Sequence, residues 1–173
     1  KLITIGRLVD QKDHVTILKS INLLKNEKIQ LLIIGRGSNK INLEKYILEK
    51  NLSSIIKIIP FQKNPYKYLK LADIFLFSSK FEGLPNVLLE AQCLKKYIIS
   101  SNCPTGPKEI LLNGLAGELI KIGDYKTMSK KIKFYINNKN KINNKIKVGY
   151  KNLNRFDYNY NMNKYSKVIK KFI

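Results

Sequence analysis

The chain has 173 residues, enough for one domain with a real core, and its 44% hydrophobic content is ordinary for a globular protein. No apolar run approaches the ~20 residues a membrane-spanning helix needs, so none reads as a span. With 33 Lys and Arg against 12 Asp and Glu the net charge is +21; a partner drawn by it would be anionic, such as nucleotide phosphates, a lipid diphosphate, phospholipid head groups or nucleic acid, although the abundance of Lys with Asn and Ile equally fits an AT-rich codon supply.

The chain opens directly on an apolar run, Leu2 to Ile5, which predicts a buried strand. No leader pattern precedes it, and the abrupt start suggests a piece of a longer protein. Gly6 can turn the backbone sharply and bring it close to a ligand. Arg7 and Lys12 flank that turn. They read either as solvated surface cations or as a diphosphate clamp, with Arg7 a planar fork and Lys12 a point charge. A helix is predicted from about His14 to Lys25, with Val15, Leu18, Ile21 and Leu24 on one face. His14, the only histidine, receives no catalytic assignment. Gln30 to Ile34 predicts a second strand, followed by Gly35-Arg36-Gly37. A G-x-G after a strand is a weak nucleotide signal, and without a third glycine it is not the dinucleotide fingerprint. A helix over about Leu43 to Asn51 and a strand over Ile55 to Ile59 come next, closed by Pro60-Phe61.

Tyr66 to Leu71 predicts a short helix, and Ala72-Asp73 leads into the apolar strand Ile74 to Phe77. Asp73 is read as structural, capping backbone N–H groups. Ser78 and Ser79 follow, then a loop holding Glu82-Gly83-Leu84-Pro85. Pro85 sits where the first turn of a helix would begin. Val87, Leu88, Ala91 and Leu94 then fall at helical spacing. Free N–H groups at such a helix start attract anions. Glu82 and Glu90 can border the same crevice, and paired carboxylates beside a phosphate cradle suit recognition of sugar hydroxyls.

Tyr97-Ile98-Ile99 predicts another strand. Cys103-Pro104-Thr105-Gly106-Pro107-Lys108-Glu109 then turns into a helix whose dipole favours Glu109. Cys93 and Cys103 have no His partners for a metal site and read as reduced thiols of a cytoplasmic protein. Glu118 to Ile120 predicts the last strand, and Asp124 the cap of a helix over Tyr125 to Asn137. Residues 126 to 173 are rich in Lys, Asn and Tyr. Apolar stripes persist there (Ile132, Tyr135, Ile136; then Tyr165, Val168, Ile169, Phe172), which predicts three Lys-rich helices and not disorder. These aromatics fit apolar faces, so no nucleic-acid partner is expected. Residues 1–173 read as one domain, with 124–173 its helical end.

Strands alternating with helices predict an α/β fold with a doubly wound parallel sheet flanked by helices, its ligand past the carboxyl ends of the strands. Gly6-Arg7, Gly35 to Gly37, Phe61, Glu82-Gly83 and Thr105-Gly106 all follow strands, which places them on one edge.

Glu82 and Glu90, seven residues between them, lie in F-E-G-L-P-N-V-L-L-E-A. This run resembles the E-x7-E signature of the retaining GT-B glycosyltransferases, and most closely the C-terminal, donor-binding half of group 1 (family 4). The opening G-R-L with its Q-K pair and the A-D-I-F-L-F-S-S run are similar to the same family. C-P-T-G-P-K-E-I-L resembles members that build bacterial surface polysaccharides and lipid-linked oligosaccharides.

The resemblance implies the Rossmann-like C-terminal half of a GT-B fold that binds a nucleotide-activated sugar, a UDP-hexose or UDP-N-acetylhexosamine. Arg7 and Lys12 would neutralise the diphosphate and, with Glu82, carry catalysis. The loop and helix start at Gly83, Leu84, Pro85, Asn86 and Val87 would hold the β-phosphate. Glu90 would accept from the ribose hydroxyls and Glu82 would touch the transferred sugar. Gly6 and Gly35 would line the donor site. Phe61 would pack on the base, though a core role is as good a reading of that aromatic. Thr105 and Gly106 would lie near the donor sugar. Neither a metal nor a cofactor is implied. A glycan or polyprenyl-linked acceptor would bind through an absent N-terminal domain, so this piece alone would transfer nothing. The enzyme would be cytoplasmic, with a peripheral contact to the anionic inner face of the membrane as a further expectation. Two other classes stay open: a nucleotide-sugar epimerase or phosphorylase of the same fold, and a basic module binding membrane or nucleic acid.

Overall fold

The computed structural model describes residues 1–172; Ile173, the end of the Lys-rich segment, lies outside the described residues. Strands β1 (Leu2–Ile5), β2 (Leu31–Ile34), β3 (Ile56–Ile59), β4 (Ile74–Phe77), β5 (Tyr97–Ser101) and β6 (Glu118–Ile120) form one sheet in the order β3-β2-β1-β4-β5-β6. Every neighbouring pair is parallel. Parallel neighbours need crossovers. Helices α1 (His14–Asn22), α2 (Lys40–Glu49), α3 (Tyr66–Leu71), α4 (Asn86–Cys93) and α5 (Pro107–Ile110) supply them. Helices α6 (Tyr125–Asn137), α7 (Lys139–Lys151) and α8 (Tyr158–Ile169) follow the last strand.

The strands are short, nearly continuous apolar runs because the sheet is covered on both faces. Side chains alternate between two cores. Ile74 and Leu76 of β4 pack with Ile17, Leu43, Ile132 and Ile142 from α1, α2, α6 and α7. Phe75 and Phe77 pack with Leu69, Leu88, Ala91 and Ile110 from α3, α4 and α5. The chain thus leaves β1 towards one face and β4, its neighbour, towards the other. At such a reversal the two outgoing loops diverge and leave a crevice above the carboxyl ends of the strands.

Several boundaries differ from expectation. Helix α1 stops at Asn22, yet Leu24 still enters the core because its amide turns back onto the Ile21 carbonyl at 2.8 Å. Val15 lies off the buried face, 36% exposed. Helix α2 starts at Lys40 and ends at Glu49, and Asn51 closes it at φ 55°. Pro85 lies outside the first turn of α4: at ψ 91° it is extended, and the helix begins at Asn86. Asp73 is structural, as expected: its carboxylate accepts from the Lys1 backbone nitrogen at 2.5 Å. Asp124 does cap α6, taking the Thr127 amide at 2.9 Å. The Lys-rich end forms the three helices expected, but the α8 stripe faces no core. Tyr165 is 65% exposed, and no residue of α8 is buried, because nothing among the described residues covers that face.

Candidate functional site

The loops after β1 and β4 meet above the strand reversal and are laced together. The Lys80 amide donates to the Gln11 carbonyl at 2.8 Å, and the Ser78 hydroxyl to the Lys12 carbonyl at 2.7 Å. The Gln11 side-chain amide donates to the Phe81 carbonyl at 2.9 Å, and Lys80 pairs with Asp10 at 2.7 Å. This lacing brings Lys12 Nζ to 2.5 Å from Glu82 Oε1, across 70 residues of sequence. The two side chains are only 18% and 11% exposed. Immediately after Lys12, Asp13 turns into the left-handed region (φ 45°), and its carboxylate accepts from the amide and hydroxyl of Thr16. That cap fixes the start of α1, and hence the reach of Lys12. Glu82 Oε2 has no protein partner among the described residues. Arg7 is exposed on the rim and donates to Gln11 Oε1 at 3.2 Å, so Gln11 ties Arg7 to the Phe81-Glu82 loop.

The remaining loops close onto these two. A side chain at Gly35 would overlap the Gly6 carbonyl, so only glycine lets the loops after β1 and β2 touch. The Leu8 amide then donates to the Arg36 carbonyl at 2.8 Å. Gly106, at φ +84°, leaves room for the Pro85 ring and the Gly83 carbonyl. Beside it the Thr105 hydroxyl contacts the Glu82 and Pro104 carbonyls. Phe61 follows β3 and is 61% exposed, with the Arg36 guanidinium 5.5 Å from its ring centroid. It belongs to the edge and not to a core.

Helix α4 starts under this edge. The Leu88 amide bonds the Pro85 carbonyl at 2.9 Å, and among the described residues the amides of Gly83, Leu84, Asn86 and Val87 have no protein acceptor. Such unpaired N–H groups at a helix start carry partial positive charge and suit an anion. Glu90 lies farther along α4, half-buried beside Tyr66. Burial pushes its carboxyl up from the ordinary value, and hydrogen bonding from Tyr66 opposes this only in part. The structure therefore brings Lys12, Glu82, Gly83, Pro85, Thr105 and Gly106 together and links Arg7 to them. It joins Gly6 to Gly35, sets Phe61 under Arg36, and turns Glu90 towards Tyr66.

Sequence reasoning missed three participants. Gln11 stood in view as half of the Q-K pair, but nothing marked it as a bridge. Arg36 stood between two glycines with no sign that it would meet Phe61. His14 is 4% exposed, and burial first and the Lys12 charge second lower its pKa to about 4; it is neutral at ordinary pH. Cys93 and Cys103 are both free thiols, the first exposed and the second buried. Among the described residues no group of three or more His, Cys, Asp or Glu could hold a metal ion.

Comparison with known proteins follows the same lines. The family model described as glycosyl transferases group 1 matches residues 1–152. An uncharacterized glycosyltransferase of Methanocaldococcus jannaschii is 41% identical over 111 residues, 63% of this chain and 27% of its own length. A Campylobacter jejuni protein is 28% identical over 151 residues, 87% of this chain and 40% of its own; its name is N-acetylgalactosamine-N,N'-diacetylbacillosaminyl-diphospho-undecaprenol 4-alpha-N-acetylgalactosaminyltransferase. Anabaena HepE, solved in complex with UDP, superposes with a TM-score of 0.90 at 16% identity, covering 98% of this chain and 48% of that one, a likeness of fold. The chain spans less than half the length of each of these proteins.

Proposed function

The chain belongs to the group 1 glycosyl transferases, and from that premise we propose that it is the half of a retaining glycosyltransferase that holds the nucleotide-activated sugar. The observation that carries this reading is the Lys12–Glu82 pair at 2.5 Å, set over the unpaired amides that open α4. A cation and free N–H groups suit a diphosphate, and a carboxylate with one open oxygen suits a sugar hydroxyl. UDP bound to the Anabaena neighbour supports a UDP-sugar as donor. The name of the Campylobacter relative supports a hexosamine sugar and a polyprenyl-diphosphate acceptor.

In this reading the bond from the anomeric carbon to the diphosphate breaks and a bond to an acceptor hydroxyl oxygen forms. The hydroxyl proton passes to an oxygen of the departing diphosphate, and the anomeric configuration is kept. Arg7, Lys12 and the amides of Gly83, Leu84, Asn86 and Val87 stabilise the departing diphosphate, a large electrostatic contribution. Two side-chain cations there supply neutralisation that a metal ion would otherwise give, so transfer is expected to need no added metal. Glu90 takes the ribose hydroxyls, Phe61 the base, and Thr105-Gly106 hold the Glu82 loop against the sugar. The acceptor binds through chain outside these residues, so this piece alone is expected to be inactive. No helix among the described residues is long and apolar enough to cross a membrane; a peripheral contact through the basic surface fits a lipid-linked acceptor.

Lys12→Ala in the full-length protein is the direct test. Transfer should fall at least about tenfold, roughly 1.4 kcal/mol of barrier. Undiminished transfer would remove Lys12 from the reaction and the reading with it.

A further inference from the structure

Strands β2 and β3 pair in register, Ile34 opposite Ile59, and the Gly35 amide continues the ladder to the Ile59 carbonyl at 3.1 Å. Residues two places beyond this pair, Arg36 and Phe61, therefore emerge side by side at the carboxyl edge. The Arg36 backbone is pinned, since its carbonyl takes the Leu8 amide at 2.8 Å, one residue from Arg7. Its side chain is exposed and lies over the Phe61 ring at 5.5 Å. Among the described residues no ion pair or hydrogen bond engages the guanidinium. An exposed aromatic ring and a planar donor fork thus sit together, joined through the Leu8 bond to the turn that carries Arg7.

Resting on the reading of the site as a nucleotide-sugar pocket, we propose that Arg36 selects the nucleotide. It favours a base with a carbonyl oxygen at pyrimidine position 4 or purine position 6 (uracil, guanine) over one with an amino group there (cytosine, adenine). Phe61 supplies stacking, which any base accepts because every base has a π-face. Arg36 supplies discrimination. A guanidinium has five donors and no acceptor. Its donors suit O4 of uracil, or O6 and N7 of guanine as a fork, but meet the N6 amino group of adenine and the N4 amino group of cytosine with like polarity. The preferred donors are thus uridine or guanosine diphosphate sugars.

Calorimetry of UDP, GDP, CDP and ADP with the full-length protein tests this. The wild type should bind UDP or GDP at least roughly tenfold more tightly than ADP, the size of one good base contact. Arg36→Ala should bring that ratio to within about threefold, chiefly by weakening UDP and GDP; Arg36→Lys, which keeps the charge and loses the fork, should fall between. Phe61→Ala should weaken all four alike. An unchanged ratio in Arg36→Ala, or equal weakening of every nucleotide, would overturn the assignment, the latter by showing that Arg36 acts on the phosphates. If the folded wild type binds none of the four, the donor-site reading itself fails. Binding with an unaffected ratio sinks the role of Arg36 alone.

Discussion

Two carboxylate–lysine clusters sit at opposite edges of the sheet, and they are built differently. At the amino end of β6, Glu118 is 13% exposed and accepts from Lys131 at 2.8 Å, Lys145 at 2.9 Å and the Tyr97 hydroxyl at 3.0 Å. Lys145 also donates to the Gly114 and Gly117 carbonyls, and Tyr97 stacks on Tyr135 of α6. Burial alone would raise the Glu118 carboxyl, but hydrogen bonds from Lys131 and Lys145 hold it below its ordinary value. Every strong group there has its partners from within the chain, so the cluster works as a joint that fastens α6 and α7 to β6. At the carboxyl edge Glu82 has one lysine and one open oxygen, beside unpaired amides. Leaving polar groups half-satisfied is costly unless something else completes them. A saturated cluster marks scaffold, and an unsaturated one marks the place a ligand must finish.

Acid separates the two ends most strongly. His14, buried behind Lys12, has its pKa lowered from 6.5 to about 4. Because the folded value lies below the unfolded one, the unfolded chain takes up the proton first. Stability is full above pH 6.5 and drains as pH falls towards about 4, by roughly 3 kcal/mol in all. Glu118 behaves oppositely in mechanism and later in window: its lowered carboxyl keeps its contribution until pH drops below its ordinary 4.5. Urea unfolding from pH 7 to 5 should therefore show a slope that His14→Gln removes and Glu118→Gln keeps. Parallel curves for wild type and His14→Gln would show that the histidine does not titrate there.

At neutral pH the order of damage reverses. Glu118→Gln strips two lysines of their shared counter-charge and should cost about 2–3 kcal/mol, a fall of roughly 5–10 °C in the unfolding midpoint. Transfer per folded molecule should stay as it was. A midpoint within a degree of wild type would mean that the joint carries no load. In Lys12→Ala transfer per folded molecule should fall at least about tenfold, over and above whatever the midpoint loses as Glu82 is left without its cation.

The same contrast governs what the sequence made legible. The strands were readable because β1, β2 and β4 are apolar runs, and the doubly wound parallel sheet followed from their alternation with helices; that the order reverses between β1 and β4 came only with the structure. Glu82 and Glu90 stood out through their spacing and the Gly-Leu-Pro between them. Pairings across 70 residues did not, because nothing local in Lys12 or Glu82 encodes which of many cations and acids will meet. Glu118 likewise looked like an ordinary strand residue, and its partners lie on α6 and α7. The α8 stripe made the helix legible but not its surroundings: helical spacing of Tyr165, Val168 and Ile169 shows that a face is apolar, not that anything among the described residues covers it.

The smallest expected effect bears on Glu90, and it tests whether the two acids of the site divide their work. Its carboxyl is raised by burial, so the native state holds the proton more tightly than the unfolded chain, and this residue adds stability as pH falls, against the trend of Glu118. A ribose hydroxyl, however, bonds more strongly to the charged carboxylate than to the neutral acid. Nucleotide affinity should therefore rise as pH climbs through the raised value, by about 1 kcal/mol or roughly fivefold. Glu90→Gln keeps an acceptor oxygen and abolishes the titration. Comparing the two proteins with the same nucleotide cancels the ionisation of the phosphates. The wild type should show the steeper gain as pH rises above the ordinary 4.5; superimposable profiles would take Glu90 away from the ribose and leave Glu82 as the one acid of the pair facing the ligand.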